Sequence, residues 1–387
     1  MTSVIQPRLL RRMTVRRVLE FLLERGPCTR AELTRLSGIS APTVSKAVTS
    51  LLDSGLLEEG EAPQGMLGRP GNVLRLARDR AQVIGVVLDV KRTTVLAAAL
   101  DGTIPSERKI DFPTPSTYRA LLDQITAAAN TIRQGPDLRT LGLGMSVPGL
   151  INRREGRAVF SPNLHLTDGH SPDQDLSRRL GIDCVMFQET HALCLGERMY
   201  SAPDTLDDFA MLEIGAGLGL GMITGGRLIE GHSGLAGELG HVTVDPQGRL
   251  CGCGNHGCLE TVATDSALAY LVSESLGRSV DIDEVKRLIQ DGQIDAEKEL
   301  RSVCEYLAIA IAAAINLLNP ATLFVHGKLF DARDGLFEMV CELTRRRALA
   351  PSLADCRIQR ARFSKEQGSV AAAIHQLMNG FGPIVGE

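Results

Sequence analysis

One histidine and three cysteines, His241, Cys251, Cys253 and Cys258, stand within eighteen residues of this sequence, separated by nine, one and four residues. An imidazole nitrogen and thiolates are preferred donors for zinc, and four of them close a tetrahedral shell. A metal held this way has no open position, so its work is to tie a chain together rather than to polarise a substrate. The stretch is rich in glycine and carries few apolar residues that could build a core of its own. His256 is a second imidazole in the same stretch, and its place inside the loop makes His241 the better ligand. The other six cysteines, Cys28, Cys184, Cys194, Cys304, Cys341 and Cys356, are isolated and read as small core residues.

The elements that must position such a cluster belong to a chain of 387 residues, 44% hydrophobic and 23% charged, which is enough to bury the cores of two or three domains. That composition excludes disordered, fibrous and disulfide-stapled classes. The longest apolar run, Leu307 to Ile315, is too short to cross a bilayer, and a cytoplasmic protein is expected. Charge is uneven. Residues 1–80 hold 13 Lys and Arg against 8 Asp and Glu, leaving 29 against 38 for the remainder. A basic head on an acidic body points to a nucleic-acid partner for the head.

Periodicity gives that head a shape. Val15, Val18, Leu19, Leu22 and Leu23 recur at helical spacing and stop at Gly26-Pro27. Thr29-Arg30-Ala31-Glu32 forms a capping box for a second helix burying Leu33 and Leu36, and Ser37-Gly38-Ile39 makes a tight turn. Ser40 is then expected to cap a third helix with Pro42 in its first turn and Val44, Val48, Leu51 and Leu52 inside. Its outer face offers Ala41, Thr43, Ser45, Lys46 and Thr49, short enough for the helix to enter a major groove. Leu56–Glu59 and Asn72–Leu76 read as the strands of a wing. Arg69, held between Gly68 and Pro70 at its tip, could reach a minor groove.

From Gln82 the pattern becomes α/β, in two similar cycles that begin near Val83 and Phe209 and imply two lobes around a cleft. Val147-Pro148-Gly149, Ser161-Pro162-Asn163-Leu164, Gly237-Glu238-Leu239-Gly240-His241 and the run from Cys251 to Glu260, together with the head, resemble the ROK family of repressors, open reading frames and kinases. The resemblance covers essentially the whole chain and lies with the family's repressor branch. It implies a mainly α winged helix-turn-helix in residues 1–80, with a linker around 76–82. An actin-like ATPase (sugar kinase) fold would follow, its amino-terminal lobe in 81–200 and its carboxy-terminal lobe, with the zinc loop, in 201–387. It also implies that Asn163, Glu238, His241 and Glu260 hold sugar hydroxyls.

The pieces that phosphoryl transfer needs in the family depart from its pattern here. The phosphate turn Asp-x-Gly-Gly-Thr reads Asp89-Val90-Lys91-Arg92-Thr93, and the catalytic Asn-Asp-Ala-Asn reads Gln188-Glu189-Thr190-His191. Gly215-Ala216-Gly217 replaces Gly-Thr-Gly, and His326-Gly327-Lys328 replaces a triple glycine. Glu189 therefore marks a degenerate catalytic position. A longer carboxylate displaced by about an ångström costs on the order of 100-fold. Lys91, Arg92 and Lys328 are either solvated charges or ligands for a phosphorylated sugar. The resulting expectation is a transcriptional repressor of carbohydrate genes, with structural zinc, operator DNA, a sugar or sugar-phosphate effector and a homodimeric or larger assembly. A sugar kinase with a fused DNA-binding head, a body that binds another protein, and an activator remain the alternatives.

Overall fold

A computed structural model describes residues 7–60, 72–133, 138–201 and 206–379, with side chains from residue 13 onward. In the head, α1 (Pro7–Arg25) is followed by β1 (Cys28–Thr29), α2 (Arg30–Ser37), α3 (Ala41–Asp53), β2 (Leu57–Gly60) and β3 (Val73–Leu76). The capping box forms: Glu32 N–H donates to Thr29 Oγ1 at 3.2 Å, and Glu32 Oε2 accepts from Thr29 N–H at 2.9 Å. Ser40 occupies the cap position of α3, but its hydroxyl pairs with that of Thr43 at 2.8 Å and makes no backbone cap. Leu36 is also not where the sequence puts it. The eight-residue α2 buries Leu33 alone, and Leu36 is 55% exposed. Leu52 is half-buried, while Val44, Ala47, Val48 and Leu51 form the inner stripe of α3. The strands make an antiparallel sheet in the order β1-β3-β2. Arg69 lies outside the described residues.

The first lobe contains β4 (Ala81–Leu88), β5 (Arg92–Ala99), β6 (Lys109–Pro113), α4 (Tyr118–Ile132), β7 (Arg139–Val147), β8 (Leu150–Asn152), β9 (Arg157–Phe160), α5 (Pro172–Leu180), β10 (Cys184–Gln188) and α6 (Glu189–Tyr200). The second contains β11 (Phe209–Ile214), β12 (Leu218–Thr224), β13 (Arg227–Leu228), α7 (Asp265–Leu276), α8 (Ile282–Gln290), α9 (Glu297–Leu318), β14 (Thr322–His326), α10 (Leu336–Arg345), α11 (Ala350–Asp355) and β15 (Arg357–Arg360), and the described chain ends with α12 (Lys365–Asn379). The two main sheets share one plan. In the order β10-β7-β4-β5-β6, the last three strands form an antiparallel meander and the first two are parallel to β4. The order β13-β12-β11-β14-β15 repeats this from the other end. Fully buried strands such as Ala81–Leu88 read as continuous apolar runs because helices cover both faces.

Two boundaries differ from the sequence reading. Residues 365–379, assigned there to the second lobe, form α12, which packs on β4, β7 and α6 of the first. The approach is close: a Cβ at Gly144 of β7 would come within 2.3 Å of Ser369 O and 2.5 Å of Ala373 N, so only glycine fits. The expected linker is equally well packed. Leu76, Ala77, Ala81 and Gln82 are buried, and one continuous core runs from Leu19, Leu51 and Leu74 of the head to Val83, Leu96, Val370 and Ile374. Leu100 N–H donates to Ala77 O at 3.1 Å and Arg139 Nη1 to Ser54 O at 2.8 Å. The head is seated on the first lobe. Among the described helices α9 alone is long and apolar enough to span a bilayer, and Leu307, Ile311 and Ile315 bury it in the second lobe's core.

Candidate sugar cleft and metal centre

The cysteine-rich segment leaves β12 and β13 and returns as a 3-10 turn, Leu239–His241, then crosses to a second one, Leu259–Thr261. Between them the chain is held by backbone bonds, among them Val244 N–H to Gly257 O and Leu259 N–H to Val242 O, both at 2.9 Å. Val242 and Leu250 point outward, 51% and 66% exposed, so hydrophobic burial does little to hold this loop. The donor atoms of His241, Cys251, Cys253 and Cys258 all lie within 4.8 Å of one another. Cys253 Sγ and Cys258 Sγ are 3.7 Å apart, and Cys251 Sγ is 3.6 Å from His241 Nδ1. Donors about 2.0–2.3 Å from a tetrahedral zinc are separated by about 3.5–3.8 Å, so these edges fit a single ion. His256 is engaged elsewhere, with Nδ1 3.1 Å from Gly248 O. Burial pushes the Cys251 thiol well above its ordinary range. At Cys253 burial acts the same way but is outweighed by the Asn255 N–H and the neighbouring thiols, which bring it below. Partly buried thiols of this kind gain from a nearby cation.

The four residues expected to hold sugar, Asn163, Glu238, His241 and Glu260, line one cavity between the lobes. Asn163 comes from the first lobe, beyond β9, and the other three from the ends of the metal loop. His241 presents Nδ1 to the Cys251 thiol, while its Nε2 lies 3.7 Å from Glu238 Oε2, so one ring stands between the cysteine cluster and the cavity. Gln188 Nε2 donates to Glu238 Oε1 at 3.2 Å, and Leu218 N–H donates to Glu260 Oε2, also at 3.2 Å. Gly217 lies where these walls meet: a Cβ there would be 2.4 Å from Glu260 Oε2 and 2.9 Å from Asn163 Nδ2. Ser161 and Gln188 also line the cavity, 2% and 7% exposed, yet Ser161 Oγ and Gln188 Oε1 find no partner among the described residues. Buried polar atoms are seldom left so, and hydroxyl groups of a ligand would satisfy them.

At the other end of the same cavity stands a cluster the sequence did not disclose. Lys365, the first residue of α12, places Nζ 2.7 Å from Glu189 Oε1, 3.1 Å from Glu213 Oε1 and 3.5 Å from Asp89 Oδ2. Asp89 directly follows β4, Glu189 opens α6 and Glu213 lies on β11, so the ammonium joins the two lobes. Burial pushes the Glu189 carboxyl up to about 7 against the pull of Lys365. Burial alone would lower the Lys365 ammonium, but the three carboxylates hold it well above its ordinary value. Lys91 and Lys328 are solvent-exposed charges, as the first of the two readings has them, and they pair with Asp281 and Asp283 at the start of α8, each at 2.8 Å. Arg92 is exposed. The amides of Lys328 and Leu329 donate to Asp265 at 2.9 and 2.8 Å, and burial pushes that carboxyl up to about 7. His191, matched to the last residue of the degenerate motif, is buried, and burial lowers it to about 4.

In the head, Ala41, Thr43, Ser45, Lys46 and Thr49 are all exposed on one side of α3. A winged helix seated on a two-lobed, sugar-kinase-like body with a polar cleft defines the class to which this chain belongs. Residues 83–377 match the ROK family and residues 12–65 match the MarR family of winged helices, and the chain belongs to the ROK family. Among its relatives, a xylose repressor of Caldicellulosiruptor bescii is 25% identical over 383 residues, covering 94% of this chain and 95% of that protein. The DNA-binding transcriptional dual regulator NagC of Escherichia coli K12 is 25% identical over 372 residues, covering 92% and 90%. The crystal structure of a ROK family transcriptional regulator, a homologue of the E. coli MLC protein, superposes with a TM-score of 0.81 at 24% identity over 96% of this chain and 98% of that one. A ROK glucokinase from Streptomyces griseus, in complex with glucose and AMPPNP, superposes with a TM-score of 0.67 at 24% identity over 76% of this chain and 98% of that one. These two likenesses establish the fold.

Proposed function

We propose that this chain is a cytoplasmic, sequence-specific DNA-binding regulator, a repressor of carbohydrate-metabolism genes, whose body binds a sugar or sugar phosphate that alters operator binding. The observation that carries this reading is the single core joining the α3 head to the lobe that walls the cleft. Ala41, Thr43, Ser45, Lys46 and Thr49, with Arg69 from the segment between β2 and β3 that lies outside the described residues, contact DNA. Asn163, Glu238, His241 and Glu260 hold the sugar hydroxyls. His241, Cys251, Cys253 and Cys258 hold a structural zinc, whose charge keeps the thiolates ionised and fixes both ends of the sugar wall. Sugar favours one interlobe angle, and because the head travels with the first lobe, closure changes the spacing of two heads in a homodimer. No kinase activity is expected, because Lys365 stands among the carboxylates at the degenerate catalytic position Glu189.

The test is selection of genomic fragments by purified zinc-loaded protein at fixed salt, repeated with free and phosphorylated sugars. A two-fold site beside carbohydrate genes, released by one sugar, is the expected result. Fragments retained with every sugar would sink release by sugar. Replacing Lys46 by Ala should weaken all sequences alike and reduce the salt slope by about one. The kinase reading draws on the likeness to the glucokinase structure. ATP-dependent phosphorylation of a hexose, lost in Glu189→Ala, would establish it.

A further inference from the structure

We infer that the cleft takes an uncharged sugar and excludes the phosphate esters of that sugar. The inference rests on the sugar-sensing reading and narrows its ligand class. Five carboxylates line the cavity, those of Asp89, Glu189, Glu213, Glu238 and Glu260, and Lys365 is the one lysine or arginine among the described residues that do so. Its ammonium already faces three of the five, at 2.7, 3.1 and 3.5 Å, so this part of the cleft keeps a surplus of negative charge. Lys91 and Lys328 do not line the cavity, and each pairs in solvent with a carboxylate of its own, Asp281 and Asp283. The Lys328 and Leu329 amides, which could otherwise serve an anion, point into the Asp265 carboxylate. A phosphate dianion entering here would break one of these pairs and face the remaining carboxylates in a space of reduced dielectric. Hydroxyl groups meet the opposite situation. Carboxylates accept from them, and the unpartnered Ser161 Oγ and Gln188 Oε1 offer a hydroxyl and a further acceptor.

Calorimetric titration of the zinc-loaded full chain tests this. D-xylose, D-glucose and N-acetyl-D-glucosamine are each compared with their 5- or 6-phosphate at low ionic strength. One parent sugar should bind, with its ester about tenfold weaker or more, as expected for a dianion brought against an uncompensated charge of the same sign. Replacing a carboxylate by its isosteric amide, in Glu213→Gln and separately in Asp89→Asn, should shrink that ratio about threefold while the parent sugar still binds. An ester that binds as tightly as its parent overturns the inference and leaves the sugar sensor standing. A ratio unchanged in both folded variants overturns the assignment of exclusion to this cluster. Silence from every sugar and every ester overturns both readings.

Discussion

The two ends of the cleft solve the problem of buried polarity in opposite ways. At the end lined by Asn163, Glu238 and Glu260, Ser161 Oγ and Gln188 Oε1 are buried without a partner among the described residues, and the wall is a loop with little core whose histidine and three cysteines come together as a metal-ligand set would. At the other end Lys365 satisfies at once the carboxylates of Asp89, just past β4, of Glu189 on α6 and of Glu213 on β11, and Asp265 absorbs the amides of Lys328 and Leu329. The first arrangement waits for a ligand; the second supplies its own. A fold shared with kinases can therefore leave polar atoms open at one end of its cleft and close the ion pairs of the other around one lysine.

Breaking the open end should have the largest effect. Chelation of the metal, or Cys258→Ser, should weaken sugar binding by about 100-fold or more, because His241 loses its fixed orientation against Glu238, while the head keeps its helical signal. Calorimetry and circular dichroism on the same sample check this. The closed end comes next. Lys365→Met leaves the largely buried Glu189 and Glu213 carboxylates facing each other beside the half-exposed Asp89 and should cost about 3 kcal/mol in denaturant unfolding, partly recovered on acidification.

The wild-type protein should show a milder form of the same dependence. Glu189 and Asp265 have folded pKa values raised to about 7 from 4.5 and 3.8. The folded state therefore binds more protons between those limits, and stability should fall as pH rises from about 4 to about 7. Asp265→Asn should flatten that slope in unfolding curves taken across the window. Least of all should change in Lys91→Ala. Its ion pair with Asp281 is mostly exposed, so a loss within about 0.5 kcal/mol is expected, vanishing at high salt.

The same contrast decides what could be read from the sequence. His241, Cys251, Cys253 and Cys258 lie within eighteen residues and were picked out by type and spacing alone, and the structure brings their donor atoms together as a set that could hold a metal. The capping box at Thr29 and Glu32 is a four-residue signal and forms as expected. Lys365 was not legible. Its partners at Asp89, Glu189 and Glu213 come from three distant segments, and nothing around residue 365 distinguishes it from a solvated lysine. Where the sequence reading went astray locally, tertiary placement prevailed: Leu36 sits at a helical core spacing yet α2 is too short to cover it, and Ser40 prefers the Thr43 hydroxyl to the backbone. The assignment of residues 365–379 to the second lobe followed chain order, whereas α12 returns to the sheet begun at β4.

That return gives α12 a mechanical character. Lys365 stands at its first turn inside the cleft, and Val370, Ala373, Ile374 and Met378 carry it into the core that includes the head, where it also touches α1. Fifteen helical residues make a strut of about 22 Å, and a helix transmits a push along its axis far better than a loop does. One helix, with no loop between its two ends, therefore carries both the buried ammonium and part of the core under the head. The lysine that gathers the carboxylates of the cleft is thereby one end of a brace whose other end lies under the head.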